Sequence, residues 1–281
     1  MSHRYHDCRP IVNELHVSRE NFIIPGPEGT IPVRLYRRAQ AGGDVPLVLY
    51  FHGGGFNAGC LDDADFPAGF IAHHCPAVVL SVGYALAPQH PFPAAPEDAY
   101  AATRWAARNT CRLNVTAKLL VVAGDDAGGS IAAGLSMMAR DRGEFSIAAQ
   151  VLIAPMLDPS MTLLGDAAGL KSELTAAQCA QRYRQYLPKC TQRMHPYAAP
   201  LESLRLAGLP AAMIATAECD VLHIEAEKYA SALIKAGIPT QVSRFAGVQH
   251  AELPAHQPML REVVEFLRRQ AMHAGLPIDS G

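Results

Sequence analysis

A doubly wound α/β fold is what this sequence predicts, and three features predict it. Short apolar runs rich in Val, Ile and Leu recur along the chain, the composition of strands buried on both faces of a parallel sheet. Segments of helical periodicity lie between them, so strand and helix alternate. The chain has 281 residues, 49% hydrophobic and 18% charged, which is enough to bury one large core.

The elements follow in order. Residues 15–24 and 30–37 flank the turn-rich Pro25-Gly26-Pro27-Glu28-Gly29 and read as a hairpin. Strands are expected at 46–51, 77–82, 118–123, 150–154, 211–216 and 240–245, and helices at 95–108, 128–142, 224–236 and 258–274. One piece breaks the alternation. Residues 158–210 are far too long for an ordinary crossover, and within them Thr175 and Gln178 form a capping box for a helix reaching about residue 187. An insertion that carries its own helix reads as a lid.

Bulk properties narrow the function. A formal net charge of −2 gives no footing for nucleic acid, and no run of Lys and Arg suggests a membrane surface. The opening Met1-Ser2-His3-Arg4-Tyr5-His6-Asp7-Cys8 is polar, unlike a signal peptide, and no apolar run approaches the ~20 residues of a spanning helix. The seven cysteines are scattered without a CxxC pair, so they read as reduced thiols in a cytoplasmic protein, not as a zinc or disulfide framework. The expected partner is a small molecule, with at most a second copy of the chain.

Three segments carry chemistry. In Tyr50-Phe51-His52-Gly53-Gly54-Gly55-Phe56, glycines after a strand leave backbone N–H groups open to a developing oxyanion. In Ala123-Gly124-Asp125-Asp126-Ala127-Gly128-Gly129, a strand enters a small-X-acid-X-small turn and then a helix, the arrangement of a nucleophile elbow. Asp220 and His250 each follow a later strand. Elbow, then acid, then His is the chain order of a hydrolase triad.

From about residue 25 onward the chain resembles the hormone-sensitive-lipase family of carboxylesterases and lipases. His52 to Gly55 resembles its HGGG motif, and Tyr84-Ala85-Leu86-Ala87-Pro88 with Pro91-Phe92-Pro93-Ala94 and Asp98-Ala99-Tyr100 resembles its YRLAPE…PFPA…DAY block. Residues 124–129 resemble its GDSAGG elbow, and 195–201 its post-lid segment. The resemblance implies an α/β-hydrolase fold: an eight-stranded, mostly parallel sheet flanked by helices in one domain spanning 1–281. It also implies a small helical lid from about 1–20 and 158–198. It assigns Gly54, Gly55 and the Ala127 amide to the oxyanion hole, with His52 and Gly53 as motif support. Asp220 becomes the triad acid and His250 the base, with no metal and no cofactor.

The departures bear on function. Asp126 stands where the family has serine, and Ala85 and Gln89 stand where it has the Arg and Glu of YRLAPE. Ser130 faces another direction, and Cys60 and Cys219 read as packing residues. Against an ester, a carboxylate nucleophile gives a mixed anhydride that is uphill, so ordinary turnover is expected to be low. Against a saturated carbon it gives a stable alkyl ester, as in the similar epoxide hydrolases, and Tyr183 and Tyr186 on one face of the lid helix are the candidate acids. Dehalogenation is disfavoured, because the position after the elbow residue is Ala127 and the sole Trp105 lies in a core helix. The third reading is a binding protein without turnover. Hydrolase is the leading class, acting on a small, mostly apolar ester-like molecule, with Asp126, Asp220 and His250 as the catalytic set.

Overall fold

A computed structural model describes residues 16–38, 43–116 and 118–276. The N-terminal share of the expected lid lies largely outside them. Among the described residues eight strands form one sheet: β1 (Val17–Gly26), β2 (Gly29–Arg38), β3 (Leu47–Phe51), β4 (Val78–Val82), β5 (Leu120–Asp125), β6 (Ala149–Ile153), β7 (Ala211–Cys219) and β8 (Thr240–Gln249). Their spatial order is β1-β2-β4-β3-β5-β6-β7-β8. The β1–β2 and β2–β4 pairings are antiparallel and all others parallel. Every expected strand is present. The last two run further than expected, which carries Asp220 and His250 to the strand ends directly.

Period-2 alternation divides the core between the two faces of the sheet. Leu47, Leu49 and Phe51 of β3 pack on one side, and Val48 and Tyr50 on the other. The first side is covered by α2 (Ala94–Arg108), α3 (Ala127–Arg142) and α5 (His223–Lys235). The second is covered by α1 (Asp65–His74) and α6 (Gln257–His273). Strands β3 to β6 are buried along their whole length, and each Leu, Val or Ile removed from water contributes about 1.5–3 kcal/mol.

Helix α1 has no counterpart in the sequence reading. Its residues Phe66 to Ala72 are all buried, so they lack the polar face that marks a helix at the surface. Helix α4 (Ala176–Tyr186) is where the capping box places it: the Gln178 amide donates to the Thr175 hydroxyl at 3.3 Å, and the Thr175 amide donates to the Gln178 side chain at 2.8 Å. Cys60 corrects another expectation. It is exposed and precedes the short turn Leu61–Ala64 at the surface, so it does not pack. Among the described residues no helix is long and apolar enough to cross a membrane.

Candidate active site

The centre of the site is the sharp turn between β5 and α3. Asp126 occupies it with φ 51° and ψ −116°, a conformation non-glycine residues rarely adopt. Its backbone is tied on both sides: its amide donates to the Ile153 carbonyl at 2.9 Å, and its carbonyl accepts from the Met156 amide at 3.2 Å. The flanking small residues are sterically required. A Cβ on Gly124 would collide with the Gly128 backbone, and one on Gly128 with the Phe51 carbonyl. The helix therefore starts directly against β3, and the residue-126 side chain is presented at the C-terminal edge of the sheet.

The His52–Gly55 strand exit meets that side chain. The Gly54 and Gly55 amides donate to Asp126 Oδ2 at 3.0 and 2.8 Å. These are the two donors assigned to the oxyanion hole, and the oxygen they hold belongs to the protein. Gly53 lies against Asp125 and Asp126, so a side chain there would strike both. His52 supports from below: its ring stacks on Tyr84 at 4.4 Å, and its carbonyl accepts from the Tyr84 hydroxyl at 2.7 Å. Ala127 is the first residue of α3 and fully buried; its position puts its amide among the helix's unpaired N-terminal donors.

Asp220 and His250 complete the relay. Asp220 is fully buried, accepts from the Leu222 amide through Oδ1 at 3.0 Å, and accepts from His250 Nδ1 through Oδ2 at 2.8 Å. The carboxylate fixes the tautomer, leaving Nε2 to face the elbow. Nε2 lies 3.6 Å from Asp126 Oδ1, an ion-pair distance that is long for a hydrogen bond. Oδ1 itself is buried without a hydrogen-bond partner among the described residues. Burial alone would lower the His250 pKa, yet Asp220 and Asp126 together hold it well above the ordinary histidine value. Burial would raise Asp126, but the His250 ring, the Arg182 charge and the Gly54 amide hold it well below the usual carboxylate range. The His250 ring thus lies between the carboxyl groups of Asp220 and Asp126.

Helix α4 covers this constellation from the insertion. Tyr186 stacks face to face on Phe56 at 3.9 Å, and its carbonyl accepts from the Phe92 amide at 2.9 Å. Asn57 hydrogen-bonds Gln185. Tyr183 is buried with a hydroxyl that lacks a hydrogen-bond partner among the described residues, and burial drives the pKa of both phenols up. The same helix supplies a residue the sequence reading missed: Arg182 Nη1 lies 3.6 Å from Asp126 Oδ2. It lies one turn before Tyr186 and one turn after Cys179, both buried, a placement that spacing alone does not separate from a solvated face. Two buried acids were also missed. Asp125 accepts from the Tyr50 hydroxyl at 2.8 Å and is pushed up to about 7, chiefly by burial. Glu225 accepts from the Leu157 amide at 2.6 Å and is raised well above the usual range by burial. Among the described residues no cluster of His, Cys, Asp and Glu is arranged for a metal.

The sheet order, the strained turn and the Asp220–His250 relay define a protein of the α/β-hydrolase class. The chain belongs to the alpha/beta hydrolase fold family, whose profile matches residues 48–253. It is 38% identical over 247 residues to Esterase LipI of Mycobacterium tuberculosis, covering 86% of this chain and 76% of that one. It is 36% identical over 233 residues to an ethyl acetate hydrolase of Pseudomonas putida, covering 79% and 71%. Among solved structures it is similar to a hyperthermophilic esterase from the archaeon Pyrobaculum calidifontis, with a TM-score of 0.84 and 37% identity over 95% of this chain and 90% of that one. It is of the carboxylesterase and lipase type.

Proposed function

We propose that this chain is a carboxylesterase-type hydrolase whose ordinary ester turnover is suppressed by Asp126, and that its ligand is a small, mostly apolar ester-like molecule. The observation that carries this is the seat of Asp126 Oδ2 between the Gly54 and Gly55 amides. An ester's developing oxyanion needs those donors free, and here a carboxylate oxygen already fills them. Beside Asp220, the Asp126 carboxylate also helps hold His250 above the ordinary histidine value, which weakens it as a base. The relay of Asp220 and His250 otherwise has the geometry the reaction needs. Free cysteines, including the buried Cys75 and Cys179, support a cytoplasmic setting.

The test is hydrolysis of a short-chain p-nitrophenyl ester by the protein and by its Asp126→Ser variant. The serine variant should exceed the parent by about 10²-fold or more, a fraction of the ~10⁶ that a full triad supplies. Equal rates would defeat the reading.

A second reading is favoured by one further observation. Asp126 Oδ1 is buried, has no hydrogen-bond partner among the described residues and faces His250. With Oδ2 anchored, Oδ1 is the oxygen free to attack an epoxide carbon; the ring C–O bond breaks as the bond to Oδ1 forms, and the ring oxygen takes a proton from a lid phenol, Tyr183 or Tyr186, to become a hydroxyl. The alkyl ester so formed would carry no charge, would release His250 from one of its two carboxylates, and would let it deprotonate water.

A further inference from the structure

The hole around Asp126 Oδ2 has more than its two backbone donors. Arg182 reaches it from helix α4, across the chain from the glycines, with Nη1 at 3.6 Å. Its stem lies flat over Gly55, so that a Cβ there would collide with the Arg182 Cδ and Nε atoms. Nη1 is buried and makes no hydrogen bond among the described residues, although 27% of the Arg182 side chain remains exposed. A buried guanidinium nitrogen without a hydrogen bond is retained at a cost unless a negative charge faces it, and the charge it faces is Oδ2. The helix that carries it is held in register by the Tyr186–Phe56 stack and the Asn57–Gln185 contact. Two amides and a guanidinium thus converge on one oxygen, while the His250 ring approaches the other oxygen of the same carboxylate.

We propose that Gly54, Gly55 and Arg182 form a receptor for a small monocarboxylate, which the protein's own Asp126 occupies in the resting state. Arg182 is the specificity-determining residue of that receptor. A neutral carbonyl and a carboxylate can both accept from the two amides, but a full negative charge is held more strongly beside the guanidinium. The proposal deepens the function given above, since it rests on Oδ2 filling the oxyanion hole and adds the ligand class the hole selects. Esters of short carboxylic acids are the substrates whose tetrahedral oxyanion and released acid would both fit it.

The experiment empties the receptor and offers it acetate. Asp126→Gly is the first variant, because glycine accepts the φ of 51° at this turn, and Asp126→Ala is the second. Thermal unfolding is followed with sodium acetate, sodium chloride of equal ionic strength, and acetamide as the uncharged isostere. Acetate should raise Tm in a saturable manner in both variants, whereas chloride and acetamide should not, and the parent should not respond. Adding Arg182→Gln should weaken acetate about tenfold or more, and Arg182→Lys should restore most of the effect. Each comparison is made with and without acetate within one variant, so a change in basal Tm does not enter. Acetate affinity unchanged by Arg182→Gln would overturn the role of Arg182 and leave it a packing residue. No response in either emptied variant would overturn the receptor. An inactive Asp126→Ser variant alongside normal acetate binding would instead defeat the esterase reading and leave the receptor standing.

Discussion

The two oxygens of Asp126 live in different surroundings, and the chemistry of the site follows from that asymmetry. Oδ2 is held by two amides while Oδ1 is buried and unbonded among the described residues, 3.6 Å from His250. If Oδ1 is a nucleophile, removing the base that hydrolyses its ester should trap the intermediate. His250→Gln incubated with a small terminal epoxide is therefore expected to carry a single adduct on the peptide containing Asp126, found by mass spectrometry; an unmodified peptide would end the second reading. Asp126, Asp220, His250 and the glycines were legible in the sequence because each sits at a strand end, where small residues and a fixed chain order leave a pattern. Arg182 was not legible. A charged residue on a helix reads as solvated unless its neighbours on the same face are known to be buried, and Cys179, Tyr183 and Tyr186 show that burial only in three dimensions.

At the scale of elements, the turn between β5 and α3 depends on the absence of side chains at positions that never touch a ligand. Gly128 abuts the Phe51 and His52 carbonyls, which are backbone atoms of the neighbouring strand and cannot rotate away. Gly128→Ala should cost about 3 kcal/mol, at the upper end of overpacking. Gly143 closes α3 with φ 68° and open space around it, so Gly143→Ala should cost only about 1 kcal/mol. Urea denaturation of the two variants separates steric collision from backbone preference; equal losses would mean the turn relaxes. Legibility differed between elements for a related reason. Helix α4 announced itself through Thr175 and Gln178, whose hydrogen bonds are local. Helix α1 did not, because its Phe66 to Ala72 run is buried on all sides and resembles a strand as much as a helix.

For the whole molecule, the alternation of apolar runs with amphipathic segments was sufficient to give the sheet and its covering helices, since strands buried on both faces admit few other arrangements. What escaped was the set of acids placed inside it. Asp125 sits beneath the elbow at a pKa of about 7, raised mainly by burial. In the unfolded chain the same group titrates near ~3.9. Between those values the folded protein holds a proton that the unfolded chain has released, so this group's contribution to stability falls as pH rises from about 4 to about 7. Asp125→Asn removes the titration and keeps an acceptor for the Tyr50 hydroxyl. Its stability relative to the parent should rise across that window and level off above it, as measured by denaturant midpoints at a series of pH values. A difference that stays flat with pH would show that Asp125 is ionised in the folded state throughout.

The steric demands of the elbow fall on Gly124 and Gly128, while the Asp126 side chain meets polar groups: the Gly54 and Gly55 amides, Arg182 and His250. Steric fit and polar contact are thereby written at separate positions of one short loop. Exchanging the side chain at 126 leaves the close backbone contacts of Gly124 and Gly128 untouched, and its cost falls on the His250 and Arg182 charges that Asp126 faces. For the same reason position 126 is a natural socket for laboratory evolution, where a library at a single codon would sample different reaction types on one unchanged scaffold.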